Sequence, residues 1–185
     1  MYKTIVKHAP SRSSLQPIRN NLEIVPYTPI QKNSKYDLRL IKVHKVAVTK
    51  YERRDEGFER LGTYMAAWRC RETQPVVMTY HPDGTKTMQV YLVPREAEAD
   101  GEAETNDGSG GGVWLDAAGG ELIAAARFEG NATKEACYSV RDSLVAALKS
   151  DGLTVASEDT FRLAQYGPLF SLGPRLNEIW MTIAV

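Results

Sequence analysis

Apolar and polar positions alternate most regularly in the last 25 residues, FRLAQYGPLFSLGPRLNEIWMTIAV. Two apolar runs, 161–166 and 176–185, are separated by Gly167-Pro168 and Gly173-Pro174, which punctuate turns. The pattern predicts a closing pair of strands. In the second run Leu176, Glu178, Trp180, Thr182 and Ala184 face one way, and Asn177, Ile179, Met181, Ile183 and Val185 the other. Large apolar groups on both faces predict a strand buried on both sides, set into a sheet built by the preceding chain.

Periodicity also orders that preceding chain. Residues 36–41 and 43–49 have strand composition. A helix follows, with Asp55 as expected N-cap and Phe58, Leu61, Met65 and Trp68 at three- and four-residue spacing. Strands over 76–80 and 87–93 flank His81-Pro82-Asp83-Gly84, whose turn chemistry makes them a hairpin. The second half repeats this order. Strands are expected over 113–116 and 122–128, then a helix opening near Gly130-Asn131 with an apolar stripe of Cys137, Val140, Leu144, Val145 and Leu148, closed by Ser150-Asp151-Gly152. Strands, helix, two strands, twice over, predict a pseudo-symmetric α+β domain. A doubly wound nucleotide fold would alternate strand and helix throughout.

Two segments stand outside the periodic pattern. Residues 1–35 form a basic arm interrupted by Pro10, Pro17, Pro26 and Pro29, which break any helix; the arm is expected to lie against the domain of residues 36–185 or against another subunit. Its Ser-containing, acid-poor composition resembles part of an organellar targeting peptide. Residues 95–112 are acidic and Gly-rich, a solvated loop. They lack the alternating ligand spacing and helical flanks of an EF-hand.

Charge sharpens the view of the arm. The formal net charge is zero, yet residues 1–54 hold 12 Lys+Arg against 3 Asp+Glu, leaving 11 against 20 for the rest. A basic front could meet an acidic partner, or be a solvated surface. No apolar run approaches the roughly 20 residues of a membrane-spanning helix. Cys70 and Cys137 are too few for a disulfide framework or a four-ligand zinc site, which favours a reducing compartment. Asn131-Ala132-Thr133 matches a glycosylation sequon but sits where a helix cap belongs. No Walker loop, GxSxG, HExxH or cysteine-histidine ligand spacing occurs, so neither catalytic nor metal residues are assigned.

Tyr36-Asp37-Leu38-Arg39, the stretch Gly57-Phe58-Glu59-Arg60-Leu61-Gly62-Thr63-Tyr64-Met65, Val77-Met78-Thr79, Gln89-Val90-Tyr91-Leu92-Val93-Pro94 and Ala125-Ala126-Arg127-Phe128-Glu129-Gly130 recur in a known order. They lead to Leu163-Ala164-Gln165-Tyr166-Gly167-Pro168 and Arg175-Leu176-Asn177-Glu178-Ile179-Trp180. In this order they resemble the SOUL heme-binding protein family, over all but the N-terminal arm. The resemblance implies a distorted antiparallel β-barrel of two similar halves flanked by two helices, and reversible, non-catalytic binding of heme or another tetrapyrrole on an apolar surface. Some members carry a proposed iron-ligating histidine directly after the YxxR-type motif, where this chain has Leu40; others are thought to hold the porphyrin by apolar contact alone.

The candidate binding residues are Arg39, Leu40, His44, Phe58, Leu61, Met65 and Trp68. His44 is four residues beyond Leu40 and shares its face if the strand runs unbroken; the alternative is a solvent-facing strand histidine. His81 falls in the hairpin turn and His8 in the arm. Met65, Met78 and Met88 could offer thioethers, although methionine more commonly fills core gaps. Phe58, Leu61, Met65 and Trp68 could cover a porphyrin, with Arg39 or Arg60 at a propionate, or could pack on the barrel. Arg175, Asn177 and Glu178 read as a hydrogen-bonded cluster locking the last strand. The leading expectation is a tetrapyrrole-binding module of an organelle, most naturally a chloroplast, with mitochondrion or cytoplasm as alternatives. The competing expectation is an accessory subunit of a larger organellar complex, in the plastid or at a mitochondrial membrane. Its basic arm would anchor it and heme binding would be lost. No nucleic-acid partner is expected. An enzyme acting on a hydrophobic small molecule, with Glu178 as base, is a third reading that nothing else in the chain supports.

Overall fold

The structure is a computed structural model and describes residues 22–94, 112–168 and 175–184. The first 21 residues of the arm, including His8, lie outside the described residues. So do nearly all of the acidic Gly-rich loop (95–111), the turn at Gly173-Pro174 and Val185.

The first half comprises β1 (Glu23–Ile24), β2 (Tyr27–Lys32), β3 (Asp37–Ile41), β4 (His44–Lys50), α1 (Arg54–Ala67), β5 (Thr73–Gln74), β6 (Val76–Tyr80) and β7 (Lys86–Tyr91). The second comprises β8 (Val113–Ala118), β9 (Glu121–Phe128), α2 (Lys134–Ser150), β10 (Phe161–Gln165) and β11 (Asn177–Thr182). Nine strands form one antiparallel, curled half-barrel in the order β2-β3-β9-β11-β10-β6-β7-β4-β8. Short β1 pairs with β5 in parallel. Residues 23–24 and 27–32 of the expected arm are therefore built into strands, β2 lying along the sheet edge beside β3.

Exchanging β3 with β8, β4 with β9, β6 with β10 and β7 with β11 turns the order of those eight strands into its own reverse. A pseudo-twofold axis thus passes between β6 and β10, and the halves interlock, because each half's first strand pairs with the other half's second: β3 with β9, β8 with β4. Neither half closes a sheet alone.

The last strand sits near the sheet centre, between β9 and β10. Its two faces divide as the alternation requires. Ile179 and Met181 join Met78, Met88, Ala124 and Leu163 in the core beneath the helices. Trp180 joins Ile41, Val77, Ile123, Ala125 and Ala164 on the opposite face. Helix α1 contributes Leu61 and Met65 to the helix-side core, and α2 contributes Cys137, Leu144 and Leu148.

Local signals explain the boundaries, with one correction. Thr133 caps α2, its side chain accepting from Ala136 N at 3.2 Å, and Gly152 at φ +75 ends it in the left-handed region. The β6–β7 turn is closed by Asp83, whose Oδ1 accepts from Thr85 N and Oγ1. Asp55, however, does not cap α1. The N-cap is Arg53, without a side-chain capping bond, and Asp55 lies in the first turn, bonded to the Arg53 guanidinium. There its charge complements the helix dipole instead.

Candidate functional site

The face of the sheet opposite the helices has an apolar centre around Trp180, Ile123, Ala125 and Ala164, and Glu178 enters it. On β11 this carboxylate is 1 % exposed, and a buried charge must be paired and hydrogen-bonded to persist. Arg39 of β3 reaches across β9 to meet it, donating Nη1 to Oε2 at 2.8 Å and Nη2 to Oε1 at 2.9 Å. Arg127 Nε, Tyr166 Oη and Trp180 Nε1 add bonds of 3.1, 2.7 and 2.8 Å. Burial alone would raise the Glu178 carboxyl pKa; Arg39 above all, with Trp180 and Tyr166, holds it below the ordinary carboxylate range. Five donors leave the carboxylate no lone pair for proton abstraction, so Glu178 is a clamp joining three strands and not a general base.

Arg39 is consumed by the same cluster. It is 3 % exposed, bonds Asp37 at 2.9 Å besides Glu178, and lies 4.9 Å from the Tyr27 ring centroid. It is not placed to receive a propionate. The expected Arg175–Asn177–Glu178 cluster divides instead of closing on itself. Asn177 accepts from Gln165 Nε2 at 3.0 Å and donates to the Gly130 and Arg175 carbonyls at 2.9 and 3.2 Å, whereas the Arg175 guanidinium packs 5.4 Å over the Phe58 ring of α1.

The chain leaves the sheet between Leu40 and His44. β3 ends at Ile41 and β4 begins at His44, so strand parity does not carry from Leu40 to His44. Leu40 is exposed, whereas His44 is buried, its Nδ1 2.7 Å from Lys42 O and its ring edge-on to Tyr91 at 5.2 Å. Neither the shared face nor a solvent-facing ring is observed. His81 sits beside Thr87 at the β6–β7 turn. Met78 and Met88 are enclosed in the helix-side core with Leu61 and Met65. That leaves Phe58, half-buried, and Trp68, 42 % exposed and tilted against Tyr64 at 6.0 Å, as the ring surfaces α1 presents. Among the described residues no group of three or more His, Cys, Asp or Glu side chains is disposed around a metal position.

The sequence model of the family described as SOUL heme-binding protein matches residues 22–182. The chain belongs to the SOUL heme-binding protein family. No curated protein matches it. Among solved structures, a hydrolase from Listeria innocua superposes with a TM-score of 0.54 at 9% identity, over 81% of this chain and 92% of that one. A putative bacterial transcription regulation protein from Staphylococcus aureus MU50 superposes with a TM-score of 0.44 at 12% identity, over 83% of this chain and all of the other. At such identities the hydrolase likeness concerns the fold alone.

In this SOUL domain α1 presents an apolar ring beside a guanidinium. Phe58 offers an apolar edge, Gly62 one turn later adds no side chain there, and Arg175 supplies a guanidinium beside them. Planar guanidinium groups suit carboxylates. No helix among the described residues is long and apolar enough to cross a membrane.

Proposed function

We propose that this SOUL domain binds heme or a related tetrapyrrole non-catalytically on the flank of α1 formed by Phe58 and Gly62, with Arg175 as the partner of a propionate. The observation that carries the reading is the Arg175 guanidinium lying 5.4 Å over the Phe58 ring, in a family defined by heme binding. Phe58 is anchored against the core, so its ring offers a surface that needs little ordering on binding. When bound, heme would supply its own iron chemistry; the chain supplies apolar contact and a counter-charge. Leu40 stands where some members have a histidine, and His44 is turned into a carbonyl contact, which favours binding without a protein axial ligand.

Hemin titration of the full chain, followed at the Soret band, tests this. A saturable one-to-one change is expected, with Phe58→Asp and Arg175→Gln each weakening affinity about tenfold and His44→Ala leaving the spectrum of the complex unchanged. Unsaturable scattering, or equal affinity for Phe58→Asp and the native chain, overturns the proposal.

A further inference from the structure

A cavity of about 440 Å³ opens at one end of the β6–β10 pair, on the helix side of the sheet, where both helices begin. Its aromatic wall is continuous: Tyr80 stacks on Phe161 at 4.9 Å, and Tyr138 meets Phe161 edge-on at 5.3 Å. Three cations line it. Arg54 is the first residue of α1 and Lys134 the first of α2, with Lys86 at the start of β7. A cation at the first position of a helix works against the helix dipole; here both symmetry-related helices carry one, and both face the same cavity.

Among the described residues Arg54 and Lys134 have no ion pair, and Lys86 has only an exposed one. Arg54 donates to the Ala132 carbonyl and to Tyr80 Oη, both neutral, at 2.9 Å each. Lys134 lies 5.8 Å from the Tyr138 ring centroid. Lys86 donates to the Glu52 carbonyl at 2.5 Å, and the Glu52 carboxylate, 3.9 Å away, is 92% exposed at the rim. A second observation is independent of the helix ends. Tyr51 lines the cavity, is 3 % exposed, and among the described residues its hydroxyl has no partner at hydrogen-bond geometry, Tyr80 being the neighbouring phenol. Burial pushes the Tyr51 phenol well above its ordinary range, with Tyr80 adding to the shift, so it stays a donor across the physiological range. A buried donor without an acceptor is costly unless something accepts from it.

We propose that this cavity is a binding site for an oxyanion, phosphate or carboxylate, carried on a small aromatic body. Arg54 and Lys134 would take the charge, Tyr51 would donate its hydroxyl, and the Tyr80, Phe161 and Tyr138 rings would flank the apolar part. At about 440 Å³ the space falls within the range of small-ligand pockets. It is separate from the α1 flank assigned to the tetrapyrrole, so the two readings stand or fall apart.

Calorimetric titration of the full chain with phenyl phosphate, benzoate, inorganic phosphate and benzyl alcohol tests it, with amide NMR shifts to locate the site. Phenyl phosphate or benzoate should bind one-to-one and shift Tyr51, Arg54, Lys134 and Tyr138; the stronger of the two names the oxyanion. Inorganic phosphate should bind more weakly, for want of the ring contacts, and benzyl alcohol not measurably. Arg54→Gln should weaken binding about tenfold or more, as loss of a charge-assisted bond does, and Tyr51→Phe and Lys134→Gln about threefold. Should Arg54→Gln fail to fold, Tyr51→Phe and Lys134→Gln, the latter altering an exposed residue, decide together. Equal binding of benzyl alcohol, shifts elsewhere, or unchanged affinity in both Tyr51→Phe and Lys134→Gln overturns the proposal. Hemin affinity should be untouched by Lys134→Gln.

Discussion

Replacing Glu178 by Gln keeps the shape of the side chain and removes its charge, and the geometry around it sets the cost. Oε1 accepts from Arg39 Nη2 and Arg127 Nε; Oε2 accepts from Arg39 Nη1, Tyr166 Oη and Trp180 Nε1. Whichever way a Gln amide is turned, its NH2 faces at least two donors. Arg39 would be left in the interior with Asp37 as its nearest carboxylate. Breaking a buried ion pair by removing one partner costs about 3–5 kcal/mol. In a domain of this size 1 kcal/mol corresponds to roughly 2–4 °C, so Glu178→Gln should lower Tm by about 6–20 °C. Equilibrium urea unfolding with an unchanged m-value, together with calorimetry, measures it. A loss under about 1 kcal/mol would refute the clamp.

The acid limb of the stability profile supplies the matching test. The folded-state pKa of Glu178 lies below its unfolded value of about 4.3. Its contribution is therefore complete above that pH and is lost as pH falls through the lowered folded value. The native-minus-Gln difference in unfolding free energy should shrink over that window and be flat above it. Comparing Arg39→Met, Glu178→Met and the double variant isolates the pair. The double variant should recover only part of the loss, since Tyr166 Oη and Trp180 Nε1 lose their acceptor at about 1–3 kcal/mol each.

Thr133→Ala removes the α2 cap and should cost about 1 kcal/mol in urea unfolding. Leu163→Ala, at the fully buried centre of the helix-side core, should cost about 2–5 kcal/mol by the same measurement. Gly119→Ala places a Cβ against the Lys42 carbonyl at φ +95 and should lower stability by about 1–3 kcal/mol, visible as a lower Tm. Burial, then the neighbouring Glu178 carboxylate, raises the Tyr166 phenol well above its ordinary range. Its contribution is complete below about pH 10 and lost as pH climbs through the folded value, so Tyr166→Phe should flatten the alkaline limb.

The repeat and the two-faced last strand were legible because both are local patterns: Ile179 and Met181 against Trp180 is a period of two that needs no tertiary information. β2 carries no legible strand signal because Pro26 and Pro29 argue against a strand interior. On an edge the missing N–H does no harm, and the β2–β3 pairing shifts register between Pro29 and Gln31. His44 departs from the face expected of it because Lys42 and Val43 break the strand, and parity holds only within one strand. The partnership of Arg39 with Glu178 spans 139 positions, beyond any local signal. The alternation did place Glu178 beside Trp180 on one face, and their 2.8 Å bond follows from it.

Duplication explains why the cavity lies where it does. In an interlocked pair of halves, the elements nearest the axis are β6 and β10, and the residues paired there include Tyr80 with Phe161. The helix that precedes each of these strands starts beside one end of that pair, so the two helix N-termini converge on one aromatic floor. Converging positive dipole ends would ordinarily be met by acidic side chains. α1 does carry Asp55 and Glu56 in its first turn and α2 carries Glu135, but none of the three lines the cavity. Arg54 and Lys134 do. Twofold repetition thus doubles the positive potential at one point, and among the described residues the one carboxylate lining the cavity, Glu52, lies beside Lys86 and not beside the two helix starts.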